Sequence, residues 1–523
     1  MGILNLISFI GIFGLCAVAW LFSEHRSPKY FPWRVALSGI ILQLILGAIV
    51  FAVPGTRDAL QVFSNFLNVI FEAADSGARF VFGANIVPVP GQDPQVNLGY
   101  IFAFRALPAV IFFSGLMALL YNIGFMQVLT NFFAKIFYST MRLSGAESLS
   151  GAANIFVGIE AAIAVKPFLA SMSRSELCAI LACCFGTAAS SVLAIYVSFL
   201  RPVFPNILGH LVSASIMAIP ACFLLAKILV PETTVPVTAG GIPVEGDRPD
   251  DDDEEDAPTE TIAGEPMQRM SPLDASIVGA LDGVKMAVSI AAVLILILGF
   301  VFLINQLFGF LAGLPGPFGS FFQVVNLQNI LGALFLPLTV LTGVSLEWNE
   351  LWASSVIIGR RLFETAIPPY QALAAAGAAG ELTDRAILIV SYALSGFAHL
   401  ASVGIFVGGV SALIPSRRRD VSAMGWKALF AGTLATLMIS CVAGVFYVPG
   451  NTSILGVPDT PPAEVAPSPA EPTDEAPADE APAPTEEAPP APDEEVPAPE
   501  DTPDGTVGSH PSHILRTAWV AAR

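Results

Sequence analysis

Two glutamates, Glu160 and Glu364, lie within apolar stretches of the sequence. A carboxylate in a lipid-facing helix costs several kcal/mol, roughly 2.5–3.5 on insertion scales, so an intramembrane acid usually faces a cavity or a partner. Ionised glutamate accepts hydrogen bonds and suits the hydroxyl groups of a solute. The chemistry that these residues predict is therefore binding of a polar solute in a water-accessible chamber within the membrane.

Each of the two glutamates is followed by a similar hexapeptide. Residues 185–190 read Phe-Gly-Thr-Ala-Ala-Ser, and residues 397–402 read Phe-Ala-His-Leu-Ala-Ser. The hexapeptides align at Phe, at the fifth-position Ala and at Ser, which places Thr187 opposite His399. Paired acids in corresponding halves of one chain indicate a duplicated transporter core with its site between the repeats.

The composition is that of a membrane protein, because 54% of the 523 residues are hydrophobic and only 13% are charged. The net charge of −19 arises in two segments: 231–271 carries 12 acids and 2 arginines, and 457–523 carries 15 acids and 2 arginines. Both segments are predicted to be disordered, since neither can bury a core. No nucleic-acid partner is predicted, because phosphate binding needs a strongly basic surface.

Eight apolar stretches are long enough to cross a membrane, which takes about 20 residues per helix. They are 4–22, 34–53, 100–121, 176–200, 205–230, 285–311, 386–413 and 426–447. Short basic loops stay cytoplasmic, and two such loops lie at 25–34 and 416–420. Both termini are therefore predicted to be periplasmic and the acidic linker cytoplasmic, in a bacterial inner membrane.

Two further stretches, 143–170 and 346–375, are apolar but interrupted by Gly, Ser, Asn, Glu and Pro. Non-helical backbone survives at membrane depth only where protein or water satisfies it, so both are predicted to be re-entrant hairpins. Each precedes a helix that is broken near its middle, at 185–190 and at 397–404. Stretches 58–82 and 125–140 mix charged and amide residues with Phe and Leu, which favours helices at the membrane interface.

The order of interfacial helix, hairpin, broken helix and intact helix occurs twice, in opposite orientations. The predicted fold is therefore an all-α membrane protein with about eight transmembrane helices and two re-entrant hairpins in inverted repeats. Its predicted parts are scaffold helices over 1–124, a first repeat over 125–230, the acidic linker over 231–271, a connecting transmembrane helix within 272–325, a second repeat over 326–447 and the tail over 457–523.

Several motifs resemble the concentrative nucleoside transporters. They include Ser-Gly-Ala-Glu-Ser-Leu-Ser at 144–150 with Asn-Ile-Phe-Val-Gly at 154–158, Phe-Phe-Ser-Gly-Leu-Met-Ala-Leu-Leu-Tyr at 112–121, Lys-Ile-Leu-Val-Pro-Glu at 227–232 and Ala-Leu-Ile-Pro-Ser-Arg-Arg-Arg-Asp at 412–420. The match covers about 1–230 and 270–447. The resemblance implies a homotrimer in the lipid bilayer that takes up nucleosides, driven by Na⁺ or H⁺, through an elevator-type movement.

By the same resemblance, the sodium site uses an Asn and a carbonyl in the first hairpin and a hydroxyl and a carbonyl in the following break. These positions are Asn154, Val157, Thr187 and Ala188 in this chain. All four offer an oxygen, the ligand that hard cations prefer. The alternative is that Asn154 caps the hairpin and Thr187 bonds back to its own helix.

The substrate site departs from the family pattern. The family reads Gly-Gln-Thr-Glu at the first hairpin tip, whereas residues 158–160 read Gly-Ile-Glu and lack the two groups that hold the nucleobase. The second tip, usually Asn-Glu-Phe, reads Phe-Glu-Thr at 363–365, and the later Phe-Ala-Asn reads Phe-Ala-His at 397–399. The predicted substrate-binding residues are Gly158, Ile159, Glu160, Glu364, Phe397, His399 and Ser402.

Three functional hypotheses follow. Two acids and Ser402 can hold a ribose-like diol while Phe397 stacks on a ring, which favours nucleosides or a nucleoside-like solute as the substrate. The sodium ligands that the resemblance implies are present, which favours a Na⁺-coupled symporter. A His beside Glu364 can carry a proton near neutral pH, which leaves an H⁺-coupled carrier of a different solute. A non-transporting gate or sensor is the third. The sequence has no nucleophile triad, metal cluster or phosphate loop, so neither an enzyme nor an organic cofactor is predicted.

Overall fold

A computed structural model describes residues 2–52, 69–70, 72–88, 101–241, 271–449 and 455. Regular structure in these ranges consists entirely of helices. In the first half they are α1 (Ile3–Leu21), α2 (Trp33–Ala52), α3 (72–82), α4 (Phe102–Arg105), α5 (Leu107–Asn122), α6 (Phe125–Met141), α7 (Gly145–Ala153), a 3₁₀ helix (Ile159–Val165), α8 (Lys166–Leu169), α9 (Arg174–Gly186), α10 (Ser190–Leu200) and α11 (Ile207–Leu229).

The second half of the chain continues the same pattern of long and short helices. Its elements are α12 (Pro272–Ala312), α13 (Pro317–Val324), α14 (Leu327–Thr342), α15 (Trp348–Glu364), α16 (Ile367–Ala378), α17 (Asp384–Leu394), α18 (Leu400–Leu413), a 3₁₀ turn (Pro415–Arg417) and α19 (Arg418–Phe446). The predicted segments 58–68, 242–270 and 457–523 lie outside the described residues.

Six helices in the described ranges are long and apolar enough to span a membrane. They are Ile3–Leu21, Trp33–Phe51, Phe102–Asn122, Ile207–Leu229, Pro272–Ala312 and Pro415–Phe446, and each overlaps one predicted span. The remaining predicted spans, 176–200 and 386–413, are each divided into two shorter helices, α9 with α10 and α17 with α18. The prediction of an all-α membrane fold is confirmed.

The two breaks differ in how closely they follow the prediction. The first falls at 187–189, inside the predicted interval, but the second falls at 395–399 and so comes earlier than 397–404. The reason is local, because His399 caps the next helix and allows it to begin at Leu400. Residues 400–404 are therefore helical.

The two hairpins are helix–turn–helix units. In the first, α7 begins with a capping box. The Ser144 side chain accepts from the Glu147 backbone N–H, and the Glu147 carboxylate accepts from the Ser144 backbone N–H. Such a box satisfies two of the amides that a helix start leaves open. In the second, α15 and α16 meet at Thr365, whose φ of 70° lies in the left-handed region and turns the chain sharply.

Small residues let the connecting helix α12 approach α5 closely. A Cβ added at Gly279 would lie 2.4 Å from the Cβ of Ala118, and one added at Gly283 would lie 2.8 Å from the Cα of Ile111. Glycines four residues apart permit this kind of close helix contact in membranes. The apolar window of α12 is only 17% buried, whereas those of α11 and of Pro415–Phe446 are 89% buried. The latter two therefore lie in the interior of the part of the chain that the structure describes.

Candidate functional site

The tip of the first hairpin presents a buried amide. Asn154 follows α7 as its C-cap and is fully buried, and its Nδ2 donates to the Ser150 carbonyl at 3.1 Å. Its Oδ1 has no hydrogen-bond partner among the described residues. A buried oxygen left unpaired costs about 1–3 kcal/mol, so this atom is available to a ligand.

The first break lies directly against that tip. Ser190, which opens α10, donates to the Phe156 carbonyl from its backbone N at 3.1 Å and from its Oγ at 2.8 Å. These two bonds hold the segment containing Val157 beside the segment containing Ala188. The structure therefore brings together the two stretches that carry the predicted sodium ligands.

Thr187 bonds back to its own helix, as the alternative interpretation proposed. Its Oγ1 donates to the Cys183 carbonyl at 2.9 Å. The hydroxyl oxygen keeps its lone pairs, because it acts only as a donor in this bond. Asn154 likewise caps α7 and still has Oδ1 free, so the structural roles of both residues leave their oxygens open.

The two glutamates at the hairpin tips have different environments. Glu160 is exposed, and its Oε2 accepts from the Gly158 backbone N at 3.0 Å. Glu364 ends α15 and is 1% exposed. Their similar positions in the sequence therefore do not translate into similar burial.

Glu364 is held by two side chains that the sequence analysis did not identify. Arg360 lies one turn earlier on α15, and its Nε and Nη2 both lie 2.8 Å from Glu364 Oε2. Gln328, on α14, donates to Oε1 at 3.1 Å. The i,i+4 spacing of Arg360 and Glu364 is a signal that the sequence does contain, whereas Gln328 is 36 residues away and carries none.

His399 acts as the N-cap of α18. Its Nδ1 accepts from the Ser402 backbone N at 3.2 Å, while the Ser402 Oγ accepts from the His399 backbone N at 3.2 Å. Because Nδ1 accepts, the tautomer assigned by this network carries its proton on Nε2. That buried Nε2 has no partner in the described part of the chain, so it is a hydrogen-bond donor open to a ligand.

Phe397 and Ser402 complete this second break. The Phe397 ring lies edge-on to the His399 ring with centroids 4.4 Å apart, and it is only partly buried. The Ser402 Oγ is within 2.7 Å of the Phe397 and His399 carbonyls. Ser402 is fully buried and its hydroxyl is committed to the backbone of the break, so its contribution here is to shape the cap.

The two breaks contact each other. The Phe397 backbone N donates to the Thr187 carbonyl at 3.1 Å. A Cβ at Gly396 would lie 2.8 and 2.9 Å from the carbonyl oxygens of Phe185 and Gly186, so only glycine fits this crossing. The segments that carry the predicted sodium and substrate residues therefore lie next to each other, and Ile159 lies against Gly409 on α18.

A buried charge network anchors the opposite end of the first hairpin. The Nζ of Lys227 lies 2.6 Å from Glu147 Oε1 and 3.1 Å from Glu232 Oε2. Burial opposes ionisation of Glu232, but Lys227 and the Ser173 hydroxyl outweigh it and hold the pKa of that carboxyl below its usual 4.5. The network ties α7 to the end of α11.

Family models describe the same parts of the chain. A model for the C-terminus of Na⁺-dependent nucleoside transporters matches residues 210–444, and a model for their N-terminus matches residues 10–85. A model described as nucleoside recognition, called Gate, matches residues 103–203. The matched ranges include both broken helices.

Relatives that match along nearly their whole length are also transporters. An uncharacterized transporter of Haemophilus influenzae is 34% identical over 451 residues, covering 86% of this chain and 99% of that protein. The nucleoside permease NupC of Helicobacter pylori is 30% identical over 446 residues, covering 84% and 98%. The solved structure of CNTnw in an inward-facing substrate-bound state shares 34% identity and a TM-score of 0.72, covering 85% of this chain and 100% of that one.

Proposed function

Since the chain belongs to the family of Na⁺-dependent nucleoside transporters, we propose that it is a secondary active symporter that imports nucleosides or a nucleoside-like solute together with Na⁺. Transport would proceed by an elevator-type movement of the hairpins and broken helices. The family's transporters are membrane proteins and not enzymes, and this chain has the helices for the same location.

The free Oδ1 of Asn154 is the single observation that carries the sodium assignment. It is an uncharged, fully buried oxygen at the tip of the first hairpin. The first break is bonded to that tip, and Thr187, in the break, would add a hydroxyl oxygen. Backbone carbonyls of Val157 and Ala188 would complete the set. Four uncharged oxygens suit a hard monovalent cation and would not hold a soft metal.

Replacing Asn154 by alanine is expected to raise the Na⁺ concentration needed for half-maximal stabilisation about tenfold, which corresponds to about 1.4 kcal/mol. The reason is that one ligand oxygen is removed from the site. Thermal unfolding of the detergent-purified protein in NaCl and in choline chloride measures this. Asn131→Ala is the matched control, because Asn131 is exposed on α6. An unchanged Na⁺ response in Asn154→Ala contradicts the assignment.

The substrate would lie between the hairpin tips and the second break. Glu364 and Glu160 supply acceptors, the His399 Nε2 supplies a donor, and the partly buried Phe397 ring supplies a stacking surface. Gly158 and Ile159 would line the substrate site at the first tip. At this tip the chain lacks the amide and hydroxyl groups that hold the nucleobase in the family. Uptake of radiolabelled uridine and adenosine into proteoliposomes, with and without a Na⁺ gradient, tests this proposal directly.

His399 supports a second candidate, H⁺-coupled transport, because its Nε2 is buried and unpartnered in the described region. His399→Asn keeps the cap of α18, since Asn is among the best N-cap residues, whereas His399→Leu is expected to cost about 1 kcal/mol. Under Na⁺ coupling, His399→Asn retains Na⁺-driven uptake. Under H⁺ coupling, it abolishes uptake driven by a pH gradient alone. His25→Asn is the control, because His25 is exposed.

We also propose the assembly and orientation that the resemblance implies. The protein would form a homotrimer in the bacterial inner membrane, with both termini in the periplasm and the acidic linker in the cytoplasm. The long, mostly exposed apolar helix α12 supports contact with lipid or with a second copy. Light scattering with detergent correction measures the oligomeric state, and cysteine labelling of the linker in intact cells measures its side of the membrane.

A further inference from the structure

Four exposed basic side chains have no role in the transport proposal. Arg26 and Lys29 lie in the loop between α1 and α2, and Arg418 and Arg419 are the first residues of α19. Among the described residues, none of the four forms an ion pair, whereas the neighbouring Arg417 does. We refer to these four residues as the basic patch.

Contacts of neighbouring residues bring the two halves of the basic patch onto one surface. Glu24, at the start of the loop, pairs with Lys427 on α19. It also accepts from Arg174 Nη2 at 2.9 Å. Two residues before Arg174, the Met172 carbonyl accepts from Arg417, which precedes α19. The loop and the start of α19 are therefore held against the same short segment.

The acidic linker is attached to this surface. Ser173 Oγ donates to Glu232 Oε2 at 2.8 Å, which fixes the first residues of the linker next to Arg174. Farther along, Thr238 accepts from two backbone N–H groups at the start of α7. The described part of the linker ends at Gly241. The linker therefore continues from a point that is anchored close to the basic patch.

The linker has the charge and the length to reach the basic patch. Residues 250–256 are seven consecutive acids. They begin nine residues after Gly241, a reach of at most about 30 Å, and the run itself extends to at most about 25 Å. A short tether of this kind gives an effective concentration in the millimolar range, so weak charge pairing is enough for association.

Other anionic occupants lack this attachment. The acidic tail at 457–523 follows the far end of α19, which runs from Arg418 to Phe446 and so ends about 42 Å from the patch at 1.5 Å per residue. Anionic lipid headgroups attract basic residues near a membrane, but they are not tethered beside these four. Charge and attachment together favour the linker.

We propose that the acidic run at 250–256 docks on the basic patch. The contact joins two parts of one chain, and it goes beyond the transport function without depending on it. Charge pairing at an exposed surface is screened by salt, so the docked state weakens as ionic strength rises. While the run is docked, the patch is shielded from anionic lipid.

Disulfide trapping in the full chain, under mild oxidation, tests the docking. Ser416→Cys lies on the exposed turn before Arg418 and leaves all four patch charges in place; it is combined with Asp253→Cys in the acidic run. Ser139→Cys with Asp253→Cys is the matched control, because Ser139 is exposed and follows Tyr138, whose hydroxyl bonds to the linker. In liposomes of neutral phosphatidylcholine, the Ser416 pair is expected to form about fivefold more disulfide than the control pair.

The dependence on charge separates docking from tethering alone. Raising choline chloride from 0.1 M to 1 M shortens the Debye length from about 10 Å to about 3 Å, and it should lower the yield of the Ser416 pair to that of the control pair. Arg418→Gln combined with Arg419→Gln should lower the yield in the same way. Lys135→Gln, which removes an exposed charge on α6, should leave it unchanged.

Four results overturn the proposal. The first is a yield of the Ser416 pair no higher than that of the control pair, and the second is a yield that responds neither to salt nor to loss of the arginines. Loss of the disulfide when phosphatidylglycerol is added to the liposomes would assign the patch to lipid, and preferential trapping of Asp493→Cys would assign it to the tail. Since none of these measurements uses a nucleoside or a Na⁺ gradient, their failure leaves the transport proposal standing.

Discussion

Lys227→Met is expected to destabilise the protein by about 3–5 kcal/mol, the usual cost of leaving one member of a buried ion pair alone. Lys227 is 5% exposed and Glu147 is 1% exposed, so water cannot replace the lost contact. The ammonium group also holds Glu232. The variant would leave two carboxylates close together without a counter-charge, at the point where the first hairpin is anchored.

Unfolding by SDS titration in mixed micelles measures this loss. Lys135→Met is the matched control, because Lys135 is exposed on α6 and its replacement is expected to change the free energy of unfolding by less than about 0.5 kcal/mol. The double variant Lys227→Met with Glu147→Gln should regain part of the stability, since it removes the buried negative charge. A Lys227→Met protein as stable as the control would contradict this account of the anchor.

The sequence predicts the fold mainly at the membrane spans, where the length of an apolar stretch determines that a helix forms. Stretches of about 20 apolar residues have one low-energy solution in lipid, a helix, because every backbone amide must be satisfied internally. The six continuous spans follow from this rule. The breaks also leave a trace, as a Gly or a polar residue inside an apolar run, which is why 176–200 and 386–413 can be read as interrupted.

Boundaries are less predictable, because they depend on caps. The second break ends at His399 rather than at residue 404, since the imidazole Nδ1 accepts the bond that a Ser or Asn usually takes at an N-cap. A histidine is an uncommon cap, and its ring accepts from the backbone N of Ser402, three residues later. No periodicity in the sequence carries that information.

The site was predicted as a set of positions and not as a set of contacts. Sequence symmetry pairs Glu160 with Glu364, but burial differs because Arg360 and Gln328 enclose only the second acid. Lys227 and Glu147 are 80 residues apart, and each alone reads as an isolated charge near a helix end. Such pairings depend on which helices pack together, which composition and spacing do not specify.

The two repeats differ in the charged residues beside their glutamates. The first repeat offers neutral oxygens and an exposed carboxylate, whereas the second carries Arg360 and Arg361 beside a buried one.

Glu364→Gln is expected to reduce nucleoside uptake about 100-fold or more, whereas Glu160→Gln is expected to reduce it about tenfold or less. A hydrogen bond to a charged group contributes about 1.5–3 kcal/mol, and two such bonds to a substrate diol would be lost or weakened at a fully buried site. Glutamine also keeps only one acceptor oxygen, so it cannot accept hydrogen bonds from both Arg360 and Gln328 as Glu364 does through its two oxygens. At Glu160, exposure to water makes each bond weaker.

Initial rates of uridine uptake into proteoliposomes, at equal reconstituted protein, separate these effects. Glu381→Gln is the matched control, because Glu381 is exposed beyond α16. Arg360→Gln makes the comparison sharper: if Arg360 holds Glu364 until a substrate hydroxyl displaces it, this variant should bind substrate more tightly and turn over more slowly. Equal losses in Glu160→Gln and Glu364→Gln would show that burial does not decide their contributions, and normal uptake by Glu364→Gln would remove the acid from the binding site altogether.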